Sequence, residues 1–328
     1  MVLVTGATGL VGSYVCRELL KEGIPCIGLK RAESSLELVS DIREYVLWDQ
    51  TSLFDLKGLQ QLLNKVDAVI NCAGMVSFSN RDQDELNKVN VEATANLVNC
   101  ALKAGVSRFL QVSSIAAIGK SRFSEVVTEK NKLENAPNAY ARSKYLGELE
   151  VWRGMAEGLP AVIVNPSVIL GPGNWEKGST RLFHYIWREK PFYLQGKMNY
   201  IDVRDNATII VQLLQQETIS NERYILNAGV VSYQKLFEGI AHYFDKKTPG
   251  IKVSSGMIRQ AARFDKLRAT LTGRPQQITD ELADAAKGTV IYSNNKILDL
   301  LGYTFRELDD TLAYACRELK NRYAGCNV

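Results

Sequence analysis

The sequence predicts an α/β fold: a doubly wound parallel sheet followed by a smaller, mostly helical C-terminal part. Short apolar runs alternate with longer amphipathic stretches from the first residue onward, which is the order of repeated strand–helix units. Several of these runs are also continuously apolar, as in the segment 160–165. Uninterrupted apolar runs are typical of parallel strands that helices cover on both faces.

The first unit is a strand, a tight turn and a helix. An apolar run over residues 1–5 is followed by Gly6, Gly9 and Gly12, and then by an amphipathic stretch over 14–21. Glycines at this spacing let the backbone turn sharply, approach a pyrophosphate and pack the helix onto the strand. The N–H groups and positive dipole end of the helix would face the phosphates. The unit therefore predicts a dinucleotide-binding turn.

The elements that follow repeat this alternation. The further strands are expected at residues 24–30, 44–48, 66–72, 107–113 and 160–165. Long helices are expected over 83–104 and 138–157, and segment 198–227 adds one more strand–helix–strand piece. Right-handed crossovers between such units place all the strands in one sheet.

After about residue 170 the pattern of predicted elements changes, which predicts a second, smaller unit. Gly171, Pro172 and Gly173 interrupt the chain, and the later elements are shorter and more mixed. We expect a dinucleotide-binding domain over 1–173 and about 198–227, and a substrate-binding lobe over about 174–197 and 228–328. The lobe is expected to be mostly helical.

Composition and charge limit the kinds of binding partner and the cellular compartment that we expect for this chain. The 328 residues carry 40 basic and 36 acidic side chains, a net charge of +4, with no charged block. No apolar run approaches the ~20 residues that span a bilayer. We therefore expect a small-molecule substrate rather than nucleic acid or a membrane. The opening strand leaves no signal peptide in what is shown, so we expect a cytoplasmic protein.

The six cysteines are scattered without the spacing of metal ligands, so no metal site is predicted. They are Cys16, Cys26, Cys72, Cys100, Cys316 and Cys326. They could pair as disulfides, but in a chain of this size and type we expect reduced, mostly buried thiols.

Several further segments resemble, in order, those of the extended short-chain dehydrogenase/reductase family. They are Asn71-Cys72-Ala73-Gly74, Asn90-Val91-Glu92-Ala93-Thr94, Val112-Ser113-Ser114, Tyr140-Ala141-Arg142-Ser143-Lys144, the run from Asn165 to Gly173, and the run from Tyr200 to Asp205. The resemblance covers about residues 1–230 and is greatest to the branch of dihydroflavonol reductases, 3β-hydroxysteroid dehydrogenases and related epimerase/dehydratases. It implies a Rossmann-type fold and an NAD(P) cofactor.

The resemblance assigns catalysis to Ser114, Tyr140 and Lys144. Tyr-x-x-x-Lys occurs four times in the chain, but only Tyr140 follows the Ser113-Ser114 strand end at the family's distance. A lysine one helical turn from a tyrosine favours the phenolate, so Tyr140 can exchange a proton with a substrate oxygen that Ser114 polarises. Ser113 is the weaker serine candidate. The alternative is a half-buried tyrosine with a solvated neighbour.

The resemblance also implies the cofactor contacts. They are Gly6, Thr8, Gly9, Leu10, Gly12, Asp49, Cys72, Ala73, Gly74, Asn90, Tyr140, Lys144, Pro166, Ser167 and Val168. Lys144 would bind the nicotinamide ribose, and the backbone after Pro166 would hold the carboxamide. Asp49 would lie near the adenine, with a helix-cap or loop carboxylate as the alternative.

Lys30 and Arg31 at the end of the second strand bear on the choice of cofactor. An NAD site usually has a carboxylate here for the ribose 2′-hydroxyl, whereas basic residues accommodate a 2′-phosphate. This chain has no acid before Glu33. We therefore expect NADP(H) in preference to NAD(H).

Three functions fit these observations. The first is a carbonyl reductase or alcohol dehydrogenase for a small, fairly apolar compound. The second is a sugar-nucleotide epimerase or dehydratase, and the third is a non-enzymatic dinucleotide sensor. A dehydratase needs an acid/base pair beside the serine, which Ile115-Ala116-Ala117 does not offer. Where the family commonly has Arg-Pro, this chain has Asn165-Pro166.

Side chains expected to line the substrate pocket include Met75, Val76, Ser77, Phe78, Asn165 and the segment 174–195, with Trp175, His184, Trp187 and Tyr193. An aromatic stripe of this kind is more often part of a core than of a binding site. In this family the helices over 83–104 and 138–157 commonly form a dimer interface. Their apolar faces permit a homodimer here, but they would equally pack on the sheet.

Overall fold

The structure is a computed structural model, and it describes residues 1–119, 126–272 and 290–323. Its strands are β1 (Val2–Thr5), β2 (Cys26–Leu29), β3 (Leu47–Asp49), β4 (Ala68–Asn71), β5 (Arg108–Val112), β6 (Val126–Val127), β7 (Ala161–Pro166), β8 (Val168–Leu170), β9 (Phe192–Leu194), β10 (Lys197–Asp202), β11 (Glu222–Leu226), β12 (Gly229–Ser232), β13 (Ile251–Val253) and β14 (Ile291–Tyr292).

Its α-helices are α1 (Leu10–Lys21), α2 (Leu56–Leu63), α3 (Gln83–Asn87), α4 (Ala93–Ala104), α5 (Ala139–Ala156), α6 (Thr180–Trp187), α7 (Val203–Gln215), α8 (Tyr233–Phe244), α9 (Ser255–Thr272), α10 (Asn295–Leu301) and α11 (Leu308–Tyr323). Short 3₁₀ turns cover Glu37–Val39, Asn80–Asp82 and Ile115–Ala117, and a π turn covers Lys88–Glu92.

Seven strands form one parallel sheet in the order β3-β2-β1-β4-β5-β7-β11. Every residue of β4, β5 and β7 is buried, as expected for parallel strands that helices cover on both faces. The strand order reverses between β1 and β4, and in such sheets ligands bind beyond the carboxyl ends of the strands at that point. The predicted doubly wound parallel sheet is confirmed.

Helices cover both faces of this sheet. On one face, Val15 and Leu19 of α1 and Ile210 of α7 pack in a single apolar cluster with the strands. On the other face, Leu97 of α4 and Val151 of α5 pack with α2 against the same sheet. The sheet is therefore the rigid base from which the strand ends project.

Two neighbouring strands leave this sheet together and enter a second one. Only Ser167 separates β7 from β8, and only Asn227 and Ala228 separate β11 from β12. The two crossings are joined because the Ser167 N–H donates to the oxygen of Leu226 at 2.9 Å. Strands β8, β10 and β12 form a separate three-stranded sheet. Of the predicted strand–helix–strand segment 198–227, only α7 and β11 therefore pack with the seven-stranded sheet. Strand β10 belongs to the three-stranded sheet instead.

A third apolar cluster lies beside the three-stranded sheet, among α6, α8 and α11. The Trp175 ring packs 4.8 Å from that of Tyr323 and 5.8 Å from that of Trp187. The C-terminal part is mostly helical, as predicted. The domain boundaries stay a prediction.

The predicted helix over 83–104 is interrupted. Helix α3 ends at Asn87, the π turn follows, and α4 begins at Ala93. Within the π turn, the Asn90 amide nitrogen donates to the backbone oxygen of Met75 at 3.0 Å, and the Asn90 amide oxygen accepts from Met75 N–H at 2.8 Å. This contact with a distant loop accompanies the one-residue bulge that periodicity could not show.

Two properties bear on the environment of the chain. Within the three described ranges, no helix is both long and apolar enough to cross a membrane. Five of the six cysteines lie in those ranges and are free thiols, of which Cys16, Cys26, Cys100 and Cys316 are buried. Cys326 lies outside the described residues.

Candidate active site

Tyr140 and Lys144 lie on one face of helix α5, beside the carboxyl end of the sheet. The helix begins just before Tyr140, because the Asn138 side chain caps it by accepting from the Ala141 N–H at 2.8 Å. Of the four Tyr-x-x-x-Lys pairs, this is the one with both residues in a single helix. The pair therefore has the one-turn spacing that the proposed chemistry needs.

Ser114 lies at the end of β5, within reach of Tyr140. The two side-chain hydroxyls are hydrogen-bonded to each other. Ser114 Oγ also accepts from the Ala116 N–H at 3.1 Å, so the same side chain caps the 3₁₀ turn Ile115–Ala117. Burial raises the pKa of Tyr140, and the Ser114 hydroxyl lowers it in part.

Lys144 is buried, and its ammonium interacts with a backbone oxygen and with the charge of a carboxylate. Nζ donates to the backbone oxygen of Val112 at 2.9 Å. Burial lowers the pKa of Lys144 to about 8, and the Glu148 carboxylate opposes that shift. The alternative of a solvated lysine is excluded by this environment.

The sequence prediction missed Glu148, Asn165 and Arg223 as a network behind the serines. The Ser113 hydroxyl donates to Glu148 Oε2 at 3.0 Å, so its hydrogen is engaged there. Asn165 Nδ2 donates both to Glu148 Oε2 at 3.2 Å and to the backbone oxygen of Ser114 at 2.9 Å. Arg223 pairs with Glu148 at 3.2 Å. In the sequence, Glu148 could have been found from its position four residues after Lys144. Nothing in the sequence pointed to Arg223.

Asn90 connects the π turn to helix α5. Besides its contacts with Met75, its amide nitrogen donates to Ser143 Oγ at 2.9 Å. Asn90 is thus buried against the helix that carries Tyr140, and its amide is fully engaged in protein contacts. These contacts give Asn90 a structural role, next to the cofactor contact that the sequence implies.

The glycine turn after β1 fits a dinucleotide pyrophosphate. Gly6 has φ +61°, and a β-carbon there would meet the Cys72 and Ala73 backbone at 2.9 Å. A β-carbon on Gly12 would lie 2.2 Å from the Gly6 oxygen. Gly9 is the N-cap of α1 and supplies no side-chain cap, so the first N–H groups of the helix have no side-chain acceptor at that cap. Such a helix end suits a phosphate.

The expected wall and carboxamide contacts lie beside this turn. Cys72, Ala73 and Gly74 directly follow β4, and the Ala73 N–H donates to Thr5 Oγ1 at 3.1 Å. Ser167, between Pro166 and Val168, is buried, and its Oγ has no hydrogen-bond partner among the described residues. A buried hydroxyl without a partner is unusual and fits a bound ligand's polar group.

The structure places the remaining predicted cofactor residues at the ends of β1, β2 and β3. Thr8 and Leu10 lie in the turn and first helical residue after β1, and Lys30 and Arg31 follow β2. Arg31 is 80% exposed and pairs with Glu33 at 3.2 Å. Asp49 ends β3, and its carboxylate accepts from the Thr51 N–H at 2.7 Å, which is the loop role held open as an alternative.

The side of Tyr140 away from the network is apolar. The Phe78 ring meets the Tyr140 ring edge-on, with centroids 5.7 Å apart. Phe78 is 50% exposed and neighbouring Val76 55% exposed, so both present apolar surface to an incoming molecule. Trp175, by contrast, is buried in the third cluster, so it contributes to packing there.

A doubly wound sheet with this glycine turn and this Ser–Tyr–Lys set defines a dinucleotide-dependent oxidoreductase. A sequence model of the NAD dependent epimerase/dehydratase family matches residues 2–229. The chain therefore belongs to that family, which is the extended short-chain dehydrogenase/reductase type, and is an NAD(P)-dependent oxidoreductase.

Individual proteins agree with this assignment. A Synechocystis protein named dihydroflavonol 4-reductase is 27% identical over 325 residues, covering 97% of this chain and 94% of its own. Cinnamoyl-CoA reductase 1 of Petunia hybrida is 25% identical over 261 residues, covering 74% and 77%. The crystal structure of gox2253 superposes with a TM-score of 0.84 at 28% identity, over 98% of both chains.

Proposed function

We propose that the chain reduces the carbonyl group of a small, fairly apolar substrate, or oxidises the corresponding alcohol, with NADP(H) as cofactor. The observation that carries the proposal is the Tyr140 hydroxyl. It is bonded to Ser114, lies one turn from the buried Lys144 ammonium and has the Phe78 ring against its own. This arrangement suits a proton donor in an apolar pocket.

Each member of the set has a separate part in the proposed reaction. Because the hydroxyls of Ser114 and Tyr140 are adjacent, both can turn to donate to one carbonyl oxygen placed beside them. Tyr140 then gives its proton to that oxygen as negative charge develops on it. The Lys144 ammonium stabilises the phenolate that remains. When bound, a nicotinamide cofactor would supply the hydride, and oxidation of the alcohol would run these steps in reverse.

Lys30 and Arg31 support the NADP(H) preference. They directly follow β2, where the 2′ position of the adenosine ribose lies in this fold class. A guanidinium fork binds a phosphate well, and exposure leaves Arg31 free to reorient toward one. A tighter dissociation constant for NAD⁺ than for NADP⁺, measured by fluorescence titration, would contradict this preference.

The rival functions are less well supported. Beside Ser114, the 3₁₀ turn Ile115–Ala117 places apolar side chains where a dehydratase needs an acid and a base. Ile115 packs with Ile118 and Tyr292 in a small apolar cluster. The intact pair of Tyr140 and Lys144 argues against a non-enzymatic sensor, which needs no proton donor. The family name still includes epimerases, so a nucleotide sugar belongs in the test.

A substrate screen tests the proposal. We would follow the loss of NADPH with aromatic aldehydes, alicyclic ketones and UDP-sugars, using the wild-type chain and Tyr140→Phe. The expected result is turnover of an aldehyde or ketone by the wild-type chain alone. Conversion of a UDP-sugar without net loss of NADPH would indicate an epimerase. Tight NADPH binding without turnover of any compound would favour the sensor.

We also propose a cytoplasmic location, which the free thiols of the five described cysteines support. Cell fractionation checks it. The homodimer through the two long helices stays a prediction, which sedimentation equilibrium checks.

A further inference from the structure

Glu148 is a buried carboxylate that three separate strands hold in place. Its side chain is 2% exposed. It accepts from Ser113 at the end of β5, from Asn165 of β7 and from Arg223 of β11, at 3.0 to 3.2 Å. A buried charge persists only when it is paired and hydrogen-bonded in this way. The arrangement is therefore specific to this site and differs from the exposed ion pairs elsewhere on the helix.

The donors around Glu148 also hold the catalytic serine. Asn165 Nδ2 donates to the backbone oxygen of Ser114 as well as to Glu148, and Ser113 is joined to Ser114 by the peptide bond. The Ser114 peptide is thus held through its oxygen and through its neighbouring residue. Its hydroxyl in turn bonds Tyr140. A displacement of Glu148 would therefore shift the Ser114 hydroxyl in two ways, through Asn165 and through Ser113.

Glu148 also acts on Lys144, which precedes it by one helical turn. The groups facing the Lys144 ammonium are Glu148, the Cys72 thiol and the backbone oxygen of Val112, with Tyr140 one turn before it on α5. Glu148 is an ionisable carboxyl group among otherwise weakly acidic or neutral neighbours. Its negative charge opposes the desolvation that burial imposes on the ammonium.

Arg223 supplies the positive charge that Glu148 needs. Its guanidinium is fixed by donation from Nε to the backbone oxygen of Glu129 at 2.8 Å and from Nη2 to that of Asn131. Asn165 reaches Glu148 from β7 and Arg223 reaches it from the adjacent β11. The cation therefore comes from the neighbouring strand.

We propose that Glu148 and Arg223 are a buried positioning pair, which orients Ser114 and places a negative charge one helical turn from the Lys144 ammonium. The proposal rests on the proposed function, because it concerns the same catalytic set. Neither residue is proposed to touch substrate or cofactor.

The first experiment replaces Glu148 by Gln, which keeps the shape of the side chain and removes its charge. Glu150→Gln is the matched control, because Glu150 lies on the same helix and pairs with Arg153 at 3.0 Å on the half-exposed side. The Lys144 titration is followed by NMR of chains labelled with [ε-¹³C]lysine, with Lys144→Met to assign the signal. Turnover is measured with the carbonyl compound found in the screen.

In Glu148→Gln we expect the pKa of Lys144 to fall below its wild-type value of about 8. We expect kcat to fall at least about tenfold, while KM and the NADPH dissociation constant stay within about threefold. The loss should grow from pH about 6.5 to 8.5, because Lys144 loses its proton earlier. Glu150→Gln should behave as wild type. An unchanged Lys144 titration, or a kcat within twofold of wild type, overturns the proposal.

The second experiment removes the cation. Arg223→Ala should lower kcat, because it leaves the buried Glu148 carboxylate without its ion pair, whereas Arg223→Lys, which keeps the charge, should retain more of it. A folded Arg223→Ala chain with a kcat within twofold of wild type would overturn the assignment of the cation to Arg223. Should Arg223→Ala fail to fold, Glu148→Gln decides the question.

Failure of this proposal differs from failure of the proposed function. The NMR titration of Lys144 needs no turnover, so it tests the pair even in a chain that reduces no carbonyl compound. A wild-type chain that turns over no aldehyde or ketone contradicts the function and leaves the titration result standing.

Discussion

The backbone oxygen of Asn90 faces Gly147 so closely that a β-carbon on Gly147 would lie 2.2 Å from it. Helix α5 and the π turn therefore meet backbone against backbone. The Thr94 hydroxyl donates to the same oxygen at 2.9 Å, which holds it in this direction. Because Gly147 follows Lys144 by three residues, this contact sets how closely the part of α5 that carries Lys144 approaches the π turn.

Gly147→Ala should separate α5 from the π turn. We expect the free energy of unfolding to fall by about 2 kcal/mol or more, since the methyl group meets a backbone atom that cannot rotate away. We expect kcat to fall with it, as Tyr140 and Lys144 shift. Gly256→Ala on α9 is the control: its nearest neighbour would be a flexible side-chain atom at 3.9 Å. Urea unfolding of both variants checks this, and equal stabilities would show that the contact is not tight.

Tyr140→Phe should abolish turnover and leave cofactor binding intact. Loss of the proton donor is expected to lower kcat by roughly 100- to 10,000-fold, while the aromatic ring and its contact with Phe78 remain. Tyr243→Phe is the control, since Tyr243 lies on α8, outside the proposed site. NADPH oxidation and fluorescence titration give the two quantities. Near wild-type turnover in Tyr140→Phe would remove Tyr140 from the mechanism.

Lys144→Met should stabilise the fold while it inactivates the enzyme. The drop in the pKa of Lys144 from 10.5 to about 8 corresponds to a cost of about 3 kcal/mol for keeping the ammonium charged in the fold. Part of this gain is offset because the Val112 oxygen loses its donor. We therefore expect the free energy of unfolding to rise by about 1–3 kcal/mol at pH 7.

The pH dependence follows from the sign of that shift. Below pH about 8 both the folded and unfolded wild-type chains carry the proton, so the full cost is present. Between about 8 and 10.5 the unfolded chain binds more protons, so wild-type stability rises with pH relative to Lys144→Met. Above pH 10.5 the cost of the charge is gone, and only the pH-independent difference that includes the lost Val112 contact should remain. Lys65→Met, at an exposed position, should show no such trend, and a parallel trend in both variants would refute the explanation.

Arg31→Ala should weaken the binding of NADPH and leave that of NADH nearly unchanged. Loss of one guanidinium–phosphate contact is expected to raise the NADPH dissociation constant roughly tenfold. Arg317→Ala is the matched control, because Arg317 is also exposed and pairs with a nearby acid, Glu318, at 3.4 Å. Equal effects on both cofactors would show that Arg31 does not read the 2′-phosphate.

Most of the fold could be predicted because its strands are local apolar runs. The strands predicted at 66–72 and 107–113 appear as β4 and β5, shortened by a residue or two at each end. The predicted helix over 138–157 is α5, one residue shorter at each end. Periodicity and glycine spacing act within about ten residues, and these elements depend on nothing more distant.

The remainder depends on contacts between distant residues. Helix 83–104 contains a π turn whose Asn90 binds a loop fifteen residues away. Strand β10 pairs with β8 and β12, which no local pattern indicates. Arg223 reaches Glu148 across 75 residues of chain, and only the folded sheet brings them together. In each case, contacts between distant residues decide which local structure forms, and the local sequence pattern does not distinguish these structures.

The paired crossing at Ser167 and Leu226 ties the two sheets to each other. Strands β7 and β11 each continue into the second sheet within one or two residues, and the Ser167 N–H donates to the Leu226 oxygen where they cross. A substitution that shifts β8 or β12 should therefore also shift Ser167, and with it the backbone that is expected to hold the nicotinamide carboxamide.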